Sequence, residues 1–269
     1  MKKIIGSIVT YNTKIDVLAK AINSFNEILL DRKLIIIDNS PTDELKEIAD
    51  AHQAEYIHNK ENTGYGAAHN IALKRSLNQA EYHLVFNPDV FWDKGTIENI
   101  YDFMQNNSDV GQLMPKVLYS NGELQYLCKL LPTPADLFFR RFLPRIGYLK
   151  KQNEKFELRF TGYNKIMNIP YLSGCFMFFR TAALQKAGLF DERFFMYPED
   201  IDITRRIHKY FRTLYYPQVA VYHDHAKESY VTRRMLWIHI KNLIKYFNKW
   251  GWFFDKERQE INRKTLENL

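Results

Sequence analysis

Leu34-Ile35-Ile36-Ile37-Asp38-Asn39-Ser40 is a run of four bulky apolar residues that stops on a carboxylate, an amide and a hydroxyl. So short a run, bounded by polar residues, reads as a strand buried on both faces, the usual state of strands in parallel sheets. The same pattern stands upstream, where Ile4 to Thr10 runs into Tyr11-Asn12, and downstream, where Tyr82 to Phe86 stops at Asn87-Pro88-Asp89. Between the strands, Ile15, Leu18, Ile22, Phe25 and Leu29 recur at helical spacing. Pro41-Thr42-Asp43-Glu44 opens a second helix with an acidic first turn, and a short strand is expected at Tyr56-Ile57. Asn62-Thr63-Gly64-Tyr65-Gly66 then turns into a helix that runs through Leu77. Strands alternating with helices over the first hundred residues predict an α/β fold: a Rossmann-like, mostly parallel sheet flanked by helices. Such sheets bind ligands beyond the carboxyl ends of their strands, where three polar clusters fall here.

After position 110 the pattern changes. Val117 to Leu127, centred on Asn121-Gly122, predicts a hairpin. Lys129 to Arg159, rich in Pro, Phe and Arg and basic through Arg140, Arg141, Arg145, Lys150 and Lys151, reads as an insertion. A strand is expected over Tyr171 to Phe179, a helix from Glu199, and a strand pair around Leu214 to Tyr222. The expected division is one domain over residues 1–230, with a first part over 1–110 and a second over 111–230, followed by a helical extension over 231–269. No internal repeat is evident.

The 269 residues, 46% of them hydrophobic, suffice for a sizeable core and argue against disorder. Cys128 and Cys175 lack the spacing of a disulfide framework or thiolate metal site and read as structural thiols of a reducing compartment. The start, Met1-Lys2-Lys3-Ile4-Ile5, becomes polar too soon for a signal peptide, and no apolar run reaches the roughly 20 residues of a spanning helix. A cytoplasmic protein with at most peripheral membrane contact is expected. A net charge of +7 fits an anionic partner without choosing among nucleic acid, lipid and phosphorylated substrate.

Three clusters carry chemistry. Asp89 is a hard oxygen ligand of the kind that shares Mg²⁺ or Mn²⁺ with substrate phosphates; Asn87 can add a neutral oxygen, and Pro88 stiffens the turn between them. Tyr197-Pro198-Glu199-Asp200-Ile201-Asp202 sets three carboxylates within four residues at a helix start. Capping alone explains such a cluster, but Asp200 is also a candidate general base, Glu199 a residue that orients it or the acceptor, and Asp202 a partner for Arg205 or Arg206. His223-Asp224-His225 closes a strand, and a neutral His223 imidazole can complete a metal site; His225 is the weaker candidate.

In order along the chain, Ser7-Ile8-Val9-Thr10-Tyr11-Asn12, Ile36-Ile37-Asp38-Asn39-Ser40, Asn62-Thr63-Gly64-Tyr65-Gly66 with Asn70, Asn87-Pro88-Asp89-Val90, Ser173-Gly174, Gly188-Leu189-Phe190-Asp191-Glu192, Glu199-Asp200-Ile201-Asp202 with Arg206, and His223 resemble the family 2 glycosyltransferases. The resemblance is to the bacterial rhamnosyltransferase-like members that build O-antigens and capsules, and covers about residues 1 to 230. It implies an A-type glycosyltransferase fold, with a nucleotide-binding half (1–110) fused to an acceptor-binding half (111–230), and an inverting transfer from a nucleotide sugar to a saccharide hydroxyl, with an acceptor that is lipid-linked. It implies donor binding by Thr10, Tyr11, Asn12, Asp38, Asn39, Asn62, Gly66, Asn70 and Asn87, and a metal on Asp89 and His223. Asp200 and Glu199 would be catalytic, and Ser173, Gly174 and Tyr197 would meet the acceptor. Asn87 stands where many relatives carry aspartate, so a weaker free-metal site is expected, with the cation entering alongside the diphosphate. The same variant recurs in the rhamnosyltransferase-like branch, which makes dTDP-rhamnose the leading donor and leaves UDP-sugars open.

From Arg233 onward Leu236, Ile240, Leu243, Phe247 and Trp250 line one helical face, with Arg234, Lys241, Lys245 and Lys249 opposite. The helix can pack on the domain, or its Trp237, Trp250, Trp252, Phe253 and Phe254 can meet the inner face of the plasma membrane; the two are compatible. Competing functions are a nucleotidyltransferase, which should show a Gly-rich phosphate loop where Thr10-Tyr11-Asn12 stands, and a non-catalytic nucleotide-sugar binding module. A nucleic-acid binder lacks any recognisable motif.

Overall fold

The structure is a computed structural model that describes residues 2–137, 147–224 and 233–269. His225, Arg140, Arg141 and Arg145, singled out above, lie outside the described residues. Strand β1 (Lys2–Thr10), helix α1 (Ile15–Asn26), β2 (Arg32–Asp38), α2 (Lys46–Ala51), β3 (Glu55–His58), α3 (Tyr65–Ser76) and β4 (Ala80–Phe86) follow the alternation expected from the sequence. Next come β5 (Val90–Trp92), α4 (Thr96–Asn106), β6 (Val110–Leu118), β7 (Cys128–Lys129), α5 (Gly147–Phe156), β8 (Met167–Asn168), β9 (Tyr171–Leu172), β10 (Phe176–Arg180) and α6 (Thr181–Ala187). Helix α7 (Glu199–His208), β11 (Arg212–His223), α8 (Arg233–Trp250) and α9 (Lys256–Glu267) complete the described elements.

Nine strands form one sheet in the order β3-β2-β1-β4-β10-β6-β11-β5, with β8 added on β11. Strands β3, β2, β1 and β4 are parallel, β10 runs antiparallel between β4 and β6, and β6 and β11 are parallel again. The order turns back at β1, which lies between β2 and β4, and a crevice at such a switch point is where α/β sheets take ligands. Pairing of Thr10 with Asp38 sets two of the polar strand ends side by side. The central strands are apolar on both faces because helices cover both: Phe25 of α1 stacks on Phe86 of β4 from one side, while Ala68 and Ala72 of α3 close on Ile5, Ile35 and Ile37 from the other.

Several expectations need correction. The apolar stripe of α1 ends with the helix at Asn26, so Leu29 is exposed rather than packed. Helix α2 begins at Lys46 rather than at Pro41, and the hairpin shrinks to one bridge between Leu118 and Leu124 around the Asn121-Gly122 turn. The expected strand over Tyr171 to Phe179 divides into β9 and β10, because Ser173-Gly174-Cys175 leaves the sheet to reach the site. The expected strand pair at Leu214 to Tyr222 is one long strand, irregular between Tyr216 and Ala220, where Pro217 has no N–H to give to the ladder. Cys128 and Cys175 are free and buried. No helix among the described residues is long and apolar enough to cross a membrane.

Candidate active site

The carboxyl ends of β1 and β2 build the first wall. Asp38 is fully buried, and its carboxylate is held rather than loose: Ser40 N–H donates to Oδ1 (2.9 Å) and the Tyr56 hydroxyl to Oδ2 (2.7 Å). Asn39 accepts from Asn59 Nδ2 (2.8 Å) and gives its own amide to Asn62 Oδ1 (3.3 Å), which in turn accepts from Gly64 N–H (3.0 Å). Asn12 N–H donates to Ser40 Oγ (2.8 Å). The buried Thr10 Oγ1 has no hydrogen-bond partner among the described residues. Beside these groups opens a cavity of about 670 Å³ lined by Asn12, Thr13, Lys14, Asp38, Ser40 and Glu44 among others, room enough for a nucleoside. Tyr11 is half exposed at its edge of the sheet.

The second wall comes from the end of β4. Strand β5 pairs antiparallel with β11 so that Val90 faces His223, and Asp224 N–H donates to the Asp89 carbonyl (3.0 Å). This pairing brings His223 Nε2 to 3.4 Å from Asp89 Oδ1 across 134 residues of chain, the difference of the two residue numbers. Gln125 orients the ring: its Nε2 donates to the carbonyls of His223 (2.9 Å) and Leu118 (3.3 Å), which leaves Oε1 to accept from His223 Nδ1 (3.1 Å). The ring therefore carries a proton on Nδ1 and turns Nε2 towards Asp89, the arrangement a metal-binding imidazole needs. Burial opposes an imidazolium here, but the neighbouring Cys175 and Asp89 more than offset it and raise the pKa; a divalent cation at Asp89 would reverse that balance. Among the described residues no group of three or more His, Cys, Asp or Glu could hold a metal by itself. One carboxylate, one imidazole and the Asn87 amide suit an ion whose remaining ligands are diphosphate oxygens.

The third wall is the start of α7. Asp200 accepts from Gly174 N–H at Oδ2 (3.0 Å) and from Ile201 N–H at Oδ1 (2.8 Å). Glu199 is buried, and its Oε2 has no hydrogen-bond partner among the described residues. Burial raises the pKa of both carboxyls; the Asp200 charge raises Glu199 further, while the Lys129 ammonium and the N–H of Gly174 pull Asp200 back. Asp200 is thus the member of the pair that ionises first. Tyr197, just before them, holds φ at +94°, a strained value for a residue with a side chain, and its ring stacks on His239 of α8 (4.5 Å between centroids).

Tyr65, to which the sequence pattern assigns no role, joins the second and third walls. Its hydroxyl lies 2.7 Å from the Gly174 carbonyl and 3.2 Å from Asn87 Oδ1, and can donate to either. Tyr65 reaches this position because Gly64 adopts φ +86° directly against the Phe195 carbonyl, where a β-carbon would come within 2.3 Å of the oxygen. Gly174 is constrained less severely, since a β-carbon there would press on Asp200 Cβ at 3.2 Å. Gly66 lies under Phe190 and Glu199, so it makes room for the carboxylate helix. Asn70, expected at the donor, instead spends its amide on the backbone of Phe190 (2.9 and 3.0 Å) and on Glu192 (3.0 Å). Ser173 is half-buried next to Gly174. Asp202 pairs with Arg206 (2.8 Å), not Arg205. Thr13, Lys14, Tyr56, Gln125 and Lys129 also went unmarked in the sequence, because only the fold brings them to the cleft.

Sheet order and the placement of these walls define an A-type glycosyltransferase fold. The family model for glycosyl transferase family 2 matches residues 7–188, more than half of the chain, and the chain belongs to that family. It is 26% identical over 201 residues to a low-salt glycan biosynthesis hexosyltransferase of Haloferax volcanii, covering 74% of this chain and 59% of that protein. It is 27% identical over 186 residues to the N-acetylglucosaminyl-diphospho-decaprenol L-rhamnosyltransferase of Mycobacterium tuberculosis, covering 62% of this chain and 58% of that one. The chain thus spans less than two thirds of either relative. Solved structures with the same fold include S. aureus TarS (TM-score 0.61, 17% identity, 98% of this chain and 43% of that one). Another is a mannosyltransferase from Pyrobaculum calidifontis in complex with GDP-Man and Mn²⁺ (TM-score 0.60, 16% identity, 92% and 64%).

Proposed function

We propose that the chain is an inverting, metal-dependent glycosyltransferase. In this reading it transfers a sugar, with dTDP-rhamnose as the leading donor, to a hydroxyl of a lipid-linked saccharide in cell-surface polysaccharide synthesis at the inner face of the plasma membrane. The observation that carries it is the Tyr65 bridge: a donor-side amide next to Asp89 and the backbone that holds Asp200 meet at one hydroxyl, so phosphate site and base share a cleft. The decaprenol-linked substrate in the name of the mycobacterial relative supports a lipid-carried acceptor, and its rhamnosyl activity supports the donor.

Asp38, Asn39 and Asn12 bind the nucleoside beside the cavity, with Tyr56 and Ser40 holding Asp38 in place. Asp89, His223 and Asn87 face the diphosphate; Mg²⁺ or Mn²⁺ bound with it would neutralise the charge of the leaving group. Asp200, as carboxylate, takes the proton of the acceptor hydroxyl while that oxygen attacks the anomeric carbon opposite the diphosphate. The new C–O bond forms as the bond to the diphosphate breaks, so configuration inverts without a covalent enzyme intermediate. Glu199, kept protonated by burial, can donate a hydrogen bond to the acceptor or to Asp200, and Ser173, Gly174 and Tyr197 shape the acceptor side.

A thermal-shift screen of nucleoside diphosphates with and without Mn²⁺ tests the reading. A thymidine or uridine diphosphate should raise the melting temperature, and more so with metal. Equal stabilisation by every nucleotide, independent of metal, would remove the donor assignment. Calorimetry with metal alone should show only weak binding, because Asn87 brings no charge.

A further inference from the structure

We infer that the outer face of α8, together with the turn that follows it, docks on an anionic lipid bilayer. One side of α8 is committed to the domain: Tyr246 and Phe247 are buried with Leu131, Phe194 and Ile201. The other side is not. Trp237 (62% exposed) and Ile244 (42%) lie two helical turns apart on one face, and Lys241 and Lys245 stand between and beside them. The face continues past the helix end, where Trp252 donates to Asn248 (2.8 Å) and Phe253 and Phe254 project at 73% and 94% exposure. Adjacent phenylalanines this open on a turn are unusual in water, and aromatic residues flanked by lysines are suited to the headgroup boundary.

Charge selects the occupant. Residues 233–254 contain five cations and no acidic residue; Lys241 and Lys245 are exposed on the outer side, whereas Lys249 is spent on Asp191 and Asp202. Two carboxylates of the surrounding elements are already paired: Asp191 with Arg193 and Lys249, Glu257 with Arg205 and Lys209. Lys256 extends the positive edge just beyond Phe254. Such a surface is attracted to anionic lipid within a Debye length, and the attraction weakens as salt rises.

The inward side of the same helix carries the acceptor loop. His239 stacks on Tyr197 and Asn242 Nδ2 donates to the Met196 carbonyl (2.9 Å), so α8 is the layer between the proposed bilayer and Glu199–Asp200. A lipid surface on the outer face would hold that loop about one helix diameter, roughly 10 Å, from the headgroups.

The surface is independent of the sugar-transfer reading, because vesicle binding is measured without substrates. The full chain should float with phosphatidylglycerol-containing vesicles at low salt, stay behind with pure phosphatidylcholine, and show a blue shift of tryptophan emission on binding. The double substitution F253S/F254S should lower the bound fraction about tenfold or more without changing the melting temperature, and K241E should flatten the salt dependence. Failure to float with anionic vesicles overturns the inference, as does a double variant that floats like the parent. A concentration-dependent dimer that F253S/F254S abolishes, without vesicle binding, would assign the face to a second copy of the chain instead.

Discussion

The donor wall and the base-bearing helix solve opposite problems. At the ends of β1 and β2 every charge is met: Asp38 receives a backbone N–H and the Tyr56 hydroxyl, and the Asn39, Asn59 and Asn62 amides are joined in one chain. At the start of α7, Asp200 receives two backbone N–H groups, but its buried neighbour Glu199 has an oxygen, Oε2, that meets no donor among the described residues. A satisfied network is rigid and waits for its ligand, whereas an under-satisfied pair stays reactive because its charged form is disfavoured. The unfavourable pair is tolerated because α7 is anchored from behind. Arg205, one turn beyond, is buried and forms a bidentate ion pair with Asp255 (2.7 and 2.8 Å), while Asp202 binds Arg206, Lys249 and the Trp250 indole.

Removing the base tests the contrast most severely. Asp200→Asn keeps the shape and can still accept from Gly174 N–H, but cannot take a proton, so kcat should fall by about a thousandfold or more while donor affinity changes no more than a few-fold. Retained turnover would take Asp200 out of the role. Breaking the anchor comes next. Arg205→Met removes the bidentate partner of buried Asp255 and leaves it only the N–H and charge of Arg258; the loss, about 3–5 kcal/mol, should lower the melting temperature by about ten degrees. Calorimetry showing an unchanged melt would mean the α8–α9 pair does not support α7. On the donor side the expected effect is smaller: Tyr56→Phe removes one of the hydrogen bonds that hold Asp38 and should raise the donor KM about tenfold with kcat nearly constant. A fall in kcat instead would place Asp38 nearer the chemistry than the nucleoside.

The same contrast explains what could be read from the chain. Asp38, Asp89 and Thr10 were legible because each closes an apolar strand run, and Glu199–Asp200 because acidic residues at a helix start stand out locally. Tyr65 was not, since its value lies in reaching Gly174, 109 residues away. Gln125 and Lys129 sit in a segment without periodicity, and their partners His223 and Asp200 arrive only through the β6–β11 and β7–β9 pairings. Asn70, which the family resemblance assigns to the donor, fastens the backbone at Phe190. Lys249, which the sequence places on the polar face of α8, folds back onto Asp191 and Asp202, because buried carboxylates on a neighbouring element compete better than solvent.

The subtlest test concerns Glu199. Its folded pKa is raised to about 8, first by burial and then by Asp200, so the folded state prefers the protonated form. The sign follows from linkage: that preference adds stability below the ordinary carboxylate range, and the contribution is lost as pH climbs towards the raised value. Glu199→Gln keeps the neutral shape and has no proton to lose. The variant should therefore match the parent near pH 5 and melt higher than the parent, by about a few degrees, as the pH approaches 9. If Glu199 also donates its hydrogen bond as an acid, the amide should keep much of the activity in that range, with the acid limb set by Asp200 in both proteins. A variant that melts lower than the parent at alkaline pH would show that the Glu199 carboxylate is stabilised by a partner, and the contrast between a satisfied donor wall and a strained base helix would fail.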